Sequence, residues 1–309
     1  MTINHLTDRP KFSMQRRQAV TGLWFMAPGL LVVLAVTIFP ILYSIYMGFN
    51  TISLTTHGFH FHWNGLGNYR LLLSSSLFRY AIVFTLVYAL VTVLVELVLG
   101  MMTALVLQRM AWGRPALLAL LLLPWSLITV ISAEMWGYIY NGVYGALDAI
   151  LLEFGIIHKP IVWLGFAKLA IASTMFADVW KTMPFVAILL LAGLEMVPVD
   201  VIEAAHMDGA SNWHVFWRII LPLIRPTMSL AILFRVLQAF GLFDLPFVLT
   251  GGGPGTATES IAVLGYQVMF QDLNFGPGAA VAASTTVVVL IIALAFLWVF
   301  RGMAEEGVA

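Results

Sequence analysis

Cysteine is absent from the 309-residue chain, which excludes disulfides, thiolate metal sites and cysteine nucleophiles. Charge is scarce as well: Asp, Glu, Lys and Arg together make up 10% of the residues, against roughly 25% in an ordinary soluble domain. With 61% of the residues hydrophobic, too little charge remains to cover a soluble surface, and a bilayer is the expected solvent. The 15 basic and 15 acidic side chains cancel, so there is no electrostatic footprint for nucleic acid. The chain also lacks a short-period repeat, a low-complexity tract and a nucleophile–base–orienter set. A single membrane domain, 21–301, flanked by tails at 1–20 and 302–309, accounts for the sequence.

What the chain does have is a series of long apolar runs. The first, Leu23 to Tyr46, is too long for a signal-peptide core and reads as a retained helix. Further spans are expected at about Tyr80–Leu107, Ala116–Tyr138, Leu169–Met196, Thr227–Leu249 and Pro277–Phe300. A polar connection, Asn50 to Phe78, follows the first span, and Gly145–Leu152 is too short to cross and predicts an interfacial helix. The expected fold is therefore an all-α membrane protein with six transmembrane helices. Arg9, Lys11, Arg16, Arg17, Arg109, Arg114, Arg218, Arg225 and Arg301 fall on the side of the termini. Only Arg70, Arg79, Lys159 and Lys168 fall on the other. Positive charge collects on the cytoplasmic side, so both termini are predicted to be cytoplasmic.

Ionisable residues inside the spans mark function by default, because burying them in hydrocarbon is costly. They are Glu96, Glu134, Asp178, Lys181, Arg235 and Asp244. Asp178 and Lys181 are three residues apart, so they share a helix face and can pair, and Thr182 and Phe185 continue that face. Pro184 favours a kink in the same helix, as suits a cavity wall. Arg235, Gln238, Ala239 and Leu242 form a second stripe on the fifth run. Either the charges neutralise one another between helices or they line a solute path. For Glu96, Glu134 and Asp244 the first reading, or a place near the membrane surface, is the expectation.

Between the fourth and fifth runs lies a polar segment, 198–226, predicted to be cytoplasmic. Asp200 and Glu203 have the spacing of a capping box, and Gly209 offers a left-handed stop. Ser211 then caps a second short helix carrying Trp213, Phe216 and Trp217, and Pro222 and Pro226 fix its junction with the fifth run. Aromatic side chains on an exposed two-helix module point to a protein partner; lipid headgroups are the simpler occupant.

Within this segment, Glu203-Ala204-Ala205, three residues, Gly209, nine residues, Ile219, one residue, Leu221-Pro222 resembles the signature of permease subunits of ATP-binding-cassette importers. Asn64-Gly65-Leu66-Gly67-Asn68-Tyr69 and Leu249-Thr250-Gly251-Gly252-Gly253-Pro254 resemble the carbohydrate-importer branch, of the maltose and trehalose type. The resemblance implies that the segment forms coupling helices docking on an ATPase subunit, through Glu203, Ala204, Ala205, Asp208, Gly209, Ile219, Leu221 and Pro222. It implies that sugar is held by Asp178, Lys181, Thr182, Phe185, Arg235, Gln238, Ala239 and Leu242, the same two stripes that the spacing selects. It also implies a second homologous permease subunit, two ATPase subunits carrying the ATP and Mg, an extracytoplasmic sugar-binding protein, and a bacterial or archaeal plasma membrane. Charged residues where the maltose-type permeases offer uncharged contacts leave an anionic solute open.

Gly251-Gly252-Gly253-Pro254-Gly255-Thr256 lacks the Gly-Lys-Ser/Thr end of a phosphate-binding loop and reads as a turn, so the motor belongs to another polypeptide. His57, His60 and His62 have ligand-like spacing with no nearby carboxylate to complete a metal site. The rival reading is a secondary transporter driven by an ion gradient, with Asp178 or Glu96 as its coupling carboxylate. Such proteins often carry inverted repeats, and none is evident.

Overall fold

In the computed structural model the described residues are 12–56 and 58–306, with side chains over 18–56 and 58–298. The expectations for Arg9, Lys11, His57 and the side chains of Arg16, Arg17 and Arg301 lie outside them.

Among the described residues, four helices are long and apolar enough to cross a bilayer: Gln18–Gly48, Ser76–Arg109, Ala167–Glu195 and Phe275–Trp298. The first consists of α1 (Phe12–Val33), a π-turn over Leu34–Ile38, and α2 (Phe39–Gly48). The π-turn sits just before Pro40: the Phe39 N–H reaches back five residues to the Leu34 carbonyl. A proline cannot donate, and its ring crowds the carbonyl four residues earlier, so the helix widens by one residue there. Helix α1 begins inside the stretch expected to be tail. A two-stranded antiparallel hairpin follows, β1 (Asn50–Thr55) on β2 (Gly58–Trp63), then α3 (Gly67–Ser74). The hairpin corrects the all-α expectation. Its period-2 alternation is carried by Phe59, Phe61 and Trp63, which pack on Phe275, Tyr46 and Phe49. Buried Asn68 fastens its base, donating to the carbonyls of Gly48 and Asn50 at 2.9 Å each.

Helix α4 (Ser76–Arg109) packs along α8 (Ala167–Glu195), which runs unbroken through Pro184. Between them in sequence come α5 (Arg114–Ser126), α6 (Thr129–Ile139) and α7 (Ala146–Glu153). The third apolar run is not one straight helix: α5 and α6 meet at 92° across extended Leu127 and Ile128. Helix α7 falls where the short helix was expected, and its buried Asp148 accepts from the Ile161 N–H and the Trp163 indole, both at 2.8 Å, closing the 141–166 loop.

The fifth apolar run also departs from expectation. Helix α12 (Arg225–Phe240) ends at Gly241, and a separate α13 (Asp244–Thr250) follows. Sixteen residues rise about 24 Å, short of a ~30 Å hydrocarbon core. Preceding it are α9 (Val199–Met207), α10 (Asn212–Val215), a π-turn over Phe216–Ile220 and α11 (Leu221–Leu223). Asn212–Leu223 bends by 68° into α12. After α13, a loop turns through Gly251, Gly252 and Gly255, all at positive φ, to α14 (Ile261–Tyr266), whose N-terminus Ser260 caps. Helix α15 (Phe275–Glu306) closes the chain against α2. Counting each bent pair as one crossing gives up to six spans.

Candidate functional site

Three helices bring one charge network together. Arg235 of α12 is 2% exposed and faces Glu96 of α4, which is fully buried. Its Nε and Nη2 donate to the two oxygens of Glu96, the Nη2 bond at 2.7 Å, in a bidentate fork. Nη2 also donates to Asp178 Oδ2 of α8 at 3.3 Å, and Nη1 to Gln238 Oε1 at 3.0 Å. The Thr182 hydroxyl lies 2.6 Å from both Glu96 Oε1 and the Asp178 carbonyl. Two carboxylates thus offset one guanidinium in a place where an unpaired charge would be very costly.

The expected Asp178–Lys181 pair does not form: Asp178 is drawn to Arg235, and among the described residues no ion pair reaches half-buried Lys181. A guanidinium offers a fixed fork of donors to a carboxylate, whereas a neighbouring lysine offers a point charge on a flexible stem.

Beside the network is a cavity of about 240 Å³, with Asp178, Lys181, Thr182, Arg235, Gln238 and Leu242 in its wall. Phe185 and Ala239, expected in the same path, stand outside it. Ala239 is buried with Ala89 and Phe240 in the packing of α12 on α4. Phe185 lies behind the wall, stacked on Trp125 with centroids 5.5 Å apart and planes 11° from parallel. Trp125 and Thr129, on either side of the α5–α6 bend, line the cavity and were missed. The bend puts them there, and local spacing within an apolar run gives no sign of it. Glu96 stands out in sequence as an intramembrane charge but not as part of the path, since nothing on its own helix pairs with it. Asp244 is at the cavity rim, and Glu134 is exposed on α6 away from it.

At the other end of α12, the polar segment forms two short helices. Pro198, not Asp200, is the N-cap of α9, with no side-chain cap; Asp200 lies in the first turn, favourably placed against the helix dipole. Extended Pro198 (φ −63°, ψ 129°) starts the helix earlier than the capping-box spacing implies. Gly209 takes φ +83° and ends it, with the Ala210 N–H on the Ala205 carbonyl at 3.0 Å. Ser211 caps α10, accepting from the His214 N–H. The Leu221 N–H reaches back to Phe216, five residues, just before Pro222, as at Pro40. Ile202, Ile220 and Leu221 seat the module on a cluster formed by Leu107, Val186, Leu190, Leu194, Val197 and Ile224. On the open side Glu203, Ala204, Asp208, Gly209, Trp213 and Trp217 are exposed, with Ala205, Ile219 and Pro222 half-buried.

Residues 96–305, which hold both the network and this module, match the family described as binding-protein-dependent transport system inner membrane component. The chain belongs to that family. This permease is 39% identical over 302 residues to the trehalose/maltose transport system permease protein MalF of Thermococcus litoralis, covering 96% of this chain and 98% of that one. It is 36% identical over 294 residues to the trehalose transport system permease protein SugA of Mycobacterium tuberculosis, covering 94% and 92%. The fold matches a chain of a bacterial alginate ABC transporter solved with an alginate pentasaccharide-bound periplasmic protein, at a TM-score of 0.78 and 20% identity over 96% of this chain and 98% of that one. In the permease, the seven signature positions Glu203 to Pro222 all fall on the module hinged to α12, the helix that carries Arg235.

Proposed function

We propose that the permease forms one half of the membrane pathway of an ATP-driven importer of sugars, most simply di- or oligosaccharides, and does no covalent chemistry itself. Its plasma-membrane partners are a second, homologous permease subunit and two ATPase subunits that carry the ATP and Mg. A binding protein delivers sugar to the outer loops near 64–70 and 251–275. Six crossings with cytoplasmic termini agree with Arg109, Arg114, Arg218 and Arg225 on one side and Arg70, Arg79, Lys159 and Lys168 on the other.

The observation that carries this reading is mechanical. The exposed surface around Glu203 and Gly209 continues through one hinge at Ile224 into α12, which forms the cavity wall. An ATPase closing on Glu203, Ala204, Ala205, Asp208, Gly209, Ile219, Leu221 and Pro222 would move that wall, and the cavity would open to one side and then the other. Asp178, Lys181, Thr182 and Gln238 present the sugar with polar groups, and Trp125 with an aromatic face.

The test is uptake of labelled trehalose and maltose into proteoliposomes holding the permease, its partner subunits and the binding protein. Uptake is expected to require ATP and to be indifferent to protonophores and sodium ionophores. Uptake by this subunit alone under a proton or sodium gradient would overturn the reading in favour of a secondary transporter. Trp125→Ala is expected to raise the half-saturating concentration for sugar by roughly three- to tenfold, the weight of one aromatic contact. Its coupling to ATP hydrolysis should be intact, and an unchanged concentration dependence would remove Trp125 from the path.

A further inference from the structure

We infer that Glu96 is a specificity-determining residue: it masks Arg235, so that the cavity takes an uncharged solute and rejects an anionic one. The inference rests on the proposed function and concerns a residue that sits behind the solute path rather than in it. Arg235 is the cavity-wall group best built to grip a carboxylate or phosphate, through its planar fork. That fork is already occupied. Nε and Nη2 are spent on Glu96 and Asp178, and one Nη1 proton on Gln238, so four of the five N–H donors are taken. Glu96 is fully buried and does not line the cavity, so it cannot serve the solute directly. Its second partner, Thr182, fixes the carboxylate from α8, so the group that occupies the fork is itself held in place.

The charge balance points the same way. Glu96, Asp178 and Asp244 set three carboxylates against the two cations Arg235 and Lys181 around the cavity. An entering anion therefore meets a surplus of negative charge and no free guanidinium. Removing the charge of Glu96 cancels the surplus and releases the fork, while Asp178 still provides a countercharge for Arg235.

The experiment measures equilibrium binding of trehalose and of trehalose 6-phosphate to the purified permease–ATPase complex in nanodiscs. The binding protein is omitted, so that only the permease discriminates. The wild type is expected to prefer trehalose. In Glu96→Gln the preference should fall by about tenfold, the weight of one charge-assisted hydrogen bond. Asp178→Asn should shift it in the same direction by less, since its bond to Arg235 is single and longer. The double variant Glu96→Gln/Arg235→Gln should restore the preference, because the unmasked cation is gone; a purely structural role for Glu96 would lower complex yield without moving the ratio. An unchanged ratio in the assembled single variants, or in Asp178→Asn alone if Glu96→Gln does not assemble, overturns the inference and leaves the importer reading standing. A wild-type complex that prefers the phosphate overturns the inference alone; one that binds neither sugar overturns it together with the sugar assignment.

Discussion

Arg235→Ala should cost the permease about 3–5 kcal/mol of stability, the loss expected when one partner of a buried ion network is removed. The variant leaves Glu96 and Asp178 facing each other across α4 and α8 with no cation between them. Glu96 has no access to water, so its charge cannot be screened. Thr182 alone would remain on Glu96 Oε1. Helix α12 would also lose its main polar tie to α4 and α8, so the damage should extend to the module it carries. The expected result is a marked drop in the melting temperature of the purified complex and little permease in the membrane. Thermal unfolding followed by loss of the monodisperse species on size exclusion measures it. Replacing Glu96 and Arg235 together with Gln should recover part of the loss, because the fully buried Glu96 charge is gone, while Asp178 still lacks its Arg235 partner. Wild-type stability in Arg235→Ala would mean that the network does not hold the three helices together.

Gly209→Asp should abolish sugar uptake while leaving delivery by the binding protein intact. Two effects combine at this position. The backbone is at φ +83°, where any Cβ costs about 1 kcal/mol, although aspartate tolerates it better than most residues. Beyond the adjoining residues, no atom lies within 4 Å of the place a Cβ would take, so the substitution does not clash within the permease. The new carboxylate instead projects from the exposed turn between α9 and α10, beside Asp208, into the proposed ATPase contact. A charge left unpaired in such a contact costs about 2–5 kcal/mol, or a roughly 30- to 4,000-fold loss of productive docking. Gly209→Asn separates the two effects, since it shares the backbone preference and lacks the charge, and it should transport at an intermediate rate. ATPase activity stimulated by sugar-loaded binding protein, with uptake in the same vesicles, is the measurement. Normal uptake in Gly209→Asp would remove this turn from the coupling surface.

Both predictions rest on a division between what local sequence encodes and what packing supplies. The short-range features are legible in the apolar runs and the punctuation of the loop. Gly209 ends α9 and Ser211 begins α10 where their residue types require, because caps and left-handed turns depend on a few neighbouring atoms. Where local rules compete, reading is less secure: Asp200 and Glu203 match a capping box, yet Pro198 starts the helix. The hairpin was not legible, since Asn50 to Trp63 reads as a polar connection. Its strands are held by pairing with each other and by stacking of Phe59, Phe61 and Trp63 on distant helices.

The amino-acid sequence by itself determined that this is a membrane protein with a polar signature loop joined to a helix that carries an arginine. Those properties follow from composition, run length and residue spacing, which act over a few turns of chain. The tertiary structure decided which charges meet. Three-residue spacing offered Lys181 to Asp178, but α8 packs so that Arg235, 57 residues away, reaches Asp178, and 139 residues separate Arg235 from Glu96. It also decided, through the bend between α5 and α6, that Trp125 and Thr129 face the cavity, and that Ala239 faces α4 instead. In hydrocarbon a buried charge takes the partner with the best geometry from whichever helix the packing supplies, and local spacing does not encode that packing.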